Sequence, residues 1–137
     1  MSTAIDTSVL LAIAGREPGY EAWEETLREA AEEGGLWVCP VVFAELSPGT
    51  TSASQLQAQL AKLAIGYDEI SPEAAHHAGT IFWKYRREGG PREHLLPDFL
   101  VAAHARVQCG QLAAIDRGYF RRYFPRLRIL RPKARGG

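Results

Sequence analysis

Cysteine is scarce in this sequence. Cys39 and Cys109 are its only two, far apart and without CxxC or His-Cys spacing. They read as buried thiols in a reducing compartment rather than as a disulfide framework or a zinc site. No apolar run approaches the roughly 20 residues that a membrane span needs, which excludes a helical membrane protein. The N-terminus lacks the basic start and small-residue cleavage site of a secretory signal, so a cytoplasmic location is expected. Internal repeats, low-complexity tracts and long linkers are also missing, which excludes solenoids and disordered scaffolds.

What remains is ordinary globular material. The 137 residues are 46% apolar and 23% charged, enough for one domain that buries roughly two-thirds of its unfolded surface. The formal net charge of zero hides an asymmetry. Residues 1–80 carry 3 Lys/Arg against 12 Asp/Glu, whereas residues 81–137 carry 13 against 4. Either the two halves pair across solvated helix faces, or the basic half offers a surface to a phosphate backbone. Charge alone does not choose between them.

Short apolar runs alternate with longer helical patterns. "STAI", "LWVCP", "GYDEI", "QLAAID" and "LRILR" are strand candidates. Between them, "TSVLLAIAG" is a helix with Thr7 or Ser8 near its cap. "GYEAWEETLREAAEEGG" places Tyr20, Trp23, Leu27 and Ala30 at helical spacing before two glycines. "PVVFAEL" starts at a proline suited to the first helical position. "SQLQAQLAKLA" puts Leu56, Leu60 and Leu63 on one face, "SPEAAHHAGTIFWKYRREGG" opens with Ser-Pro-Glu, and "LPDFLVAAHARVQCG" closes the helical set. "RGYFRRYF" is a short turn or helix. This alternation predicts an α/β fold, a three-layer α/β/α sandwich around a short-stranded, mostly parallel sheet. One domain is expected over residues 1–132, with 133–137 a short tail.

Aspartate is rare too, at four residues beside twelve glutamates. Asp6 follows "STAI", Asp116 follows "QLAAI", and Asp98 precedes "FLVAAHA"; Glu45 stands alone among apolar neighbours in "PVVFAEL". Each has an ordinary explanation: a helix cap at Asp6, a macrodipole partner at Asp98, a turn at Asp116, an arginine partner for Glu45. Together they fall at strand ends and helix starts, where parallel sheets bind ligands. If their strands are neighbours, the carboxylates repel one another until some protonate or a cation binds. Oxygen-only donors select Mg²⁺ or Mn²⁺. His76, His77, His94 and His104 show no acid–base pairing and read as structural or exposed, His94 lying nearest the acids in sequence.

On "IDTSVLLAI", "PVVFAEL", "LPDFLVAAHA" and "LAAIDRGYFRRYFPRLRIL", taken in that order over nearly the whole chain, the sequence resembles a PIN-domain ribonuclease, and within that family a VapC-type toxin of a toxin–antitoxin pair. Relatives often carry Thr or Ser two residues before the fourth acid, where Ala114 stands here. The resemblance implies a domain holding one or two Mg²⁺ or Mn²⁺ ions on Asp6, Asp98 and Asp116. Glu45 would be a further ligand or orient water, and Thr7 would hydrogen-bond to the site. It also implies endonucleolytic cleavage of single-stranded RNA (tRNA, mRNA or an rRNA loop), a homodimer, and a VapB-like antitoxin. Candidate RNA contacts are Arg86, Arg87, Arg92, Arg117, Arg121 and Arg122, with Trp83 or Tyr119 for base stacking. Two rivals stand beside this reading. An aspartate-nucleophile phosphatase wants a second aspartate two positions after Asp6, where this chain has Ser8. A PIN-like scaffold would bind protein or RNA without cutting.

Overall fold

The computed structural model describes residues 1–90, 95–115 and 118–133, with Tyr119 described only in its backbone. In chain order the elements are β1 (Thr3–Ile5), α1 (Thr7–Ala14), α2 (Tyr20–Glu33), β2 (Leu36–Val38), α3 (Pro40–Leu46), α4 (Ala53–Ala61) and β3 (Ile65–Tyr67). They continue with α5 (Pro72–Arg87), α6 (Leu96–Gln108), β4 (Gln111–Ala113), α7 (Tyr119–Tyr123) and β5 (Arg128–Leu130).

Local chemistry accounts for most boundaries. Pro40 and Pro72 occupy first helical positions, where the missing N–H costs no hydrogen bond. Ser52 and Ser71 cap α4 and α5 by accepting from the backbone N–H of Gln55 and Ala74, each at 3.1 Å. Along α2, Trp23, Leu27 and Ala30 form the buried stripe that their spacing predicts. Two expectations shift. Leu63 lies beyond the end of α4 and is 41% exposed. Ala64, at φ 61°, turns the chain into β3 and takes Leu63 off the helical face. The third strand is Ile65–Tyr67 rather than "GYDEI"; the backbone N–H of Asp68 still donates to Val38 O at 2.9 Å, while its carboxylate turns toward α6.

The five strands pair in parallel in the order β3-β2-β1-β4-β5. Trp37 of β2 lies across Gly66 of β3, where a Cβ would come within 2.8 Å of its ring. From β1 the chain steps one way to β2 and β3, then jumps back to β4 and steps the other way to β5. Right-handed crossovers put α1–α4 on one face and α5–α7 on the other. The second face is sealed by rings: Tyr85 lies 4.9 Å from Tyr123 and 5.2 Å from Phe99, and Phe82 lies 5.1 Å from Phe99. Such pairs add about 0.5–1.5 kcal/mol each beyond their burial. Thus α5, α6 and α7 pack as one block. Among the described residues, no helix is long and apolar enough to cross a membrane.

Candidate functional site

The reversal of chain direction beside β1 opens a crevice at the carboxyl ends of β1 and β4, where open parallel sheets present ligand sites. Asp6 is the first residue past β1, and its backbone N–H donates to Ala113 O at 2.9 Å, at the end of β4. Its side chain also caps α1: Oδ2 accepts from Ser8 N at 3.2 Å and from Ser8 Oγ at 2.5 Å. The helix cap expected at Asp6 is found there, with Thr7 and Ser8 next to it. Asp98 does similar work in the first turn of α6, where Oδ2 accepts from Leu95 N at 3.1 Å. Both ordinary explanations hold, yet neither uses up the carboxylate. The Ser8 and Leu95 hydrogen bonds all fall on Oδ2.

The electrostatics separate a plain cap from a poised one. Burial pushes the Asp6 carboxyl above the usual carboxylate range. The two Ser8 hydrogen bonds pull it down, and the charge of Asp98 pushes it up again. A cap alone would not bring a second acid close enough to be felt. Glu45 arrives from α3, which packs against both α1 and α6. It is exposed, and its Oε1 accepts from Thr7 Oγ1 at 2.8 Å. Among the described residues no arginine pairs with Glu45; its partner there is a hydroxyl one residue after Asp6. Thr7 thus joins Glu45 beside Asp6, and Asp98 is near enough for its charge to bear on Asp6. Asp116 lies outside the described residues, as do Arg92, Arg117 and His94.

Ser8 was missed as a functional residue by sequence reasoning. Its hydroxyl donates to Asp6 and accepts from Ile115 N at 3.2 Å, tying the first acid to the segment that leads to Asp116. The signal was present in the "DTS" triplet but read only as a helix start. The same contact bears on the phosphatase rival. The position that such enzymes fill with a second acid holds a hydroxyl that occupies Asp6 Oδ2. The thiols offer no alternative nucleophile: burial raises both, Cys39 upward and Cys109 to about 12.

The basic half divides in two. Arg86, Arg87, Arg121 and Arg122 are exposed. Arg86 follows Tyr85 and Arg122 precedes Tyr123, the two rings being in contact, and Arg122 lies 5.4 Å from the Tyr123 ring centre. Trp83, 65% exposed, belongs to the same helix as Arg86 and Arg87. Arg128, Arg131 and Lys133 instead share a cavity of about 310 Å³ with Glu29 and Glu33 of the acidic helix α2. Among the described residues no ion pair joins the four arginines of α5 and α7 to that helix, where Glu25 pairs with Arg28. On the other side of Glu45, residues of α1, α3 and α4 line an apolar groove of about 410 Å³, with Leu11 and Leu63 exposed at it.

A parallel five-stranded α/β domain with an aspartate just past its central strand, capping the helix that follows, defines a class of fold. The PIN domain family model matches residues 3–124, and the chain belongs to that family. No curated protein matches it by sequence. Solved structures do match in fold. VapBC2 from Rickettsia felis, bound to a DNA fragment from its promoter, is 19% identical with a TM-score of 0.74, over 95% of this chain and 98% of that one. VapBC-1 from nontypeable Haemophilus influenzae is 16% identical with a TM-score of 0.69, over 95% and 97%. The Mycobacterium tuberculosis sarcin–ricin loop cleaving toxin VapC20 is 16% identical with a TM-score of 0.59, over 92% and 98%.

Proposed function

We propose that this chain is a metal-dependent endoribonuclease of the VapC type, the toxin of a toxin–antitoxin pair. The observation that carries the reading is the placing of Asp6 just past the central strand, with Glu45 held beside it on Thr7 at 2.8 Å and the charge of Asp98 adding to burial in raising the Asp6 carboxyl. Two acids held together at a cost to one of them fit a hard divalent cation better than they fit a fold without one. Asp6, Asp98 and Asp116 would hold Mg²⁺ or Mn²⁺, one or two ions, with Glu45 beside them. Such an ion supplies a nucleophilic water near neutral pH and offsets the charge of the scissile phosphate.

The chain's own residues do the rest. Ser8 and the Asp6 backbone N–H fix the first carboxylate against β4, and Thr7 orients Glu45. Glu45 is then placed to accept a proton from an attacking water. The arginines of α5 and α7 draw the RNA backbone toward an acidic crevice that would otherwise repel it, and Trp83 offers an exposed face for an unpaired base. The purified, chelator-treated chain is expected to cut single-stranded RNA internally when Mg²⁺ or Mn²⁺ is restored, and to stop when excess chelator is added. Cutting that continues in the chelator, or none with either ion, rejects the reading in favour of a non-cutting scaffold.

Backbone steering has its own signature. RNA affinity should fall steeply with salt, and replacing Arg121 and Arg122 together with Gln should lower the log–log slope by about 1.4, near 0.7 for each single-strand phosphate contact. Filter binding at several salt concentrations reads this directly. An unchanged slope assigns the α7 arginines to a solvated face.

The partner follows from the groove beside Glu45. A VapB-like antitoxin segment with an apolar face would cover Leu11 and Leu63. A basic residue on it would meet Glu45 at the crevice mouth and oppose the cation. The Rickettsia and Haemophilus relatives are VapBC structures, which supports a partner of this kind. A homodimer and a cytoplasmic location complete the reading.

A further inference from the structure

One polar cluster has no part in the acidic site. His104, in α6, is fully buried; its Nε2 lies 2.8 Å from Asp68 Oδ2, and its Nδ1 has no hydrogen-bond partner among the described residues. Cys109, half-buried at the end of α6, completes the group. Its sulfur, an imidazole nitrogen of His104 and a carboxylate oxygen of Asp68 all lie within 4.8 Å of one another.

We propose that Asp68, His104 and Cys109 form a second metal site, distinct from the acidic crevice, that takes a borderline transition ion, Zn²⁺ foremost. The donor set makes the choice. One sulfur and one imidazole favour Zn²⁺, whereas Mg²⁺ wants oxygen donors alone. Zinc bonds of about 2.0–2.3 Å put tetrahedral donors roughly 3.3–3.8 Å apart, so the trio closes with shifts of about 1 Å. Asp68 is the member able to move, since its side chain is 36% exposed while that of His104 is 1% exposed. Its exposed side leaves the fourth position open to water.

The surroundings are built to hold the carboxylate. Gln108 Nε2 donates to Asp68 Oδ2 at 3.3 Å and to Glu69 O at 2.7 Å, while its Oε1 accepts from Ser71 N at 2.8 Å. Outer partners of this kind orient metal ligands in proteins generally. The ion would clip the chain after β3 onto α6. Sequence spacing gives little hint of the site because Asp68 lies 36 residues before His104, and His104 and Cys109 stand five apart rather than at a familiar ligand spacing.

Cobalt is the probe, a spectroscopic stand-in for zinc. Titrating Co²⁺ into the reduced, chelator-treated full chain should produce a thiolate-to-cobalt band in the near ultraviolet and intense tetrahedral bands in the visible. One equivalent of Zn²⁺ should bleach both, and excess Mg²⁺ should not. Cys109→Ser, at a half-buried position, should remove the near-ultraviolet band and weaken Zn²⁺ binding by at least about 10-fold. Circular dichroism would check that this variant is folded. Cys39→Ser, and separately the Asp6→Asn/Asp98→Asn pair, should keep the band, which separates this site from the acidic one. A wild-type chain without the band overturns the proposal and leaves a hydrogen-bonded structural cluster. So does a band that survives Cys109→Ser or vanishes with Cys39→Ser.

Discussion

Asp6→Asn is expected to reduce Mg²⁺-dependent RNA cleavage by at least about 100-fold, because removing even an outer partner of a metal site commonly costs 10–100-fold and Asp6 is placed to be a direct ligand. The same substitution should raise the melting temperature of the chelator-treated protein. The Asp6 carboxyl is raised in the fold, by burial and then by Asp98, so its ionised form is more comfortable in the unfolded chain. Stability lost to that charge appears as pH rises from 3.8 through the raised folded value, and persists at neutral pH. Asparagine removes the charge and still accepts from Ser8 N as a helix cap. The gap in melting temperature between variant and wild type should therefore be widest near pH 7 and close as pH falls toward 3.8. Calorimetry with and without Mg²⁺ checks this, and Mg²⁺ should stabilise only the wild type. A variant that cuts at the wild-type rate removes Asp6 from the chemistry. One that melts lower at pH 7 shows that its cap outweighs its charge.

Phe99→Ala should destabilise the fold by about 3–5 kcal/mol, the usual cost of emptying an aromatic core position. Phe99 is fully buried and meets Phe82, Tyr85, Tyr123 and Phe124 with ring centres 5.1–6.1 Å apart. It therefore joins all three helices on one face of the sheet. For a domain whose total stability is roughly 5–15 kcal/mol, the loss is a large share. Urea unfolding should show a lower midpoint with an unchanged slope. Phe99→Leu, which refills much of the volume, should cost well under half as much. A loss below about 1 kcal/mol would mean that the rings pack loosely around an adaptable gap.

The helix boundaries were legible because prolines and serines act locally: Pro40, Pro72, Ser52 and Ser71 do the same work in the fold as in a short peptide. The place of Asp6 was legible in outline, since a residue that follows an apolar strand run and precedes a helix falls at the carboxyl edge of a parallel sheet. The contact of Thr7 with Glu45 was not. It depends on the packing of α3 against α1, which no spacing encodes. The same holds for the basic half. Arg128, Arg131 and Lys133 resemble Arg86 and Arg121 in sequence, but the sheet carries the former to the acidic helix and leaves the latter in solvent. Leu63 misled for a local reason: the left-handed turn at Ala64 falls where no glycine announces it.

β1 is the first strand made and sits in the middle of the sheet, with its neighbour β4 near the other end of the chain. Thr3 pairs with Gln111 and the Asp6 backbone N–H donates to Ala113 O, so the seat of Asp6 is closed by contacts between distant stretches of chain. Loss of β4 would leave one edge of β1 and the backbone N–H of Asp6 without these partners, while the pairing of β1 with β2 and the bond between Thr7 and Glu45 would not depend on it.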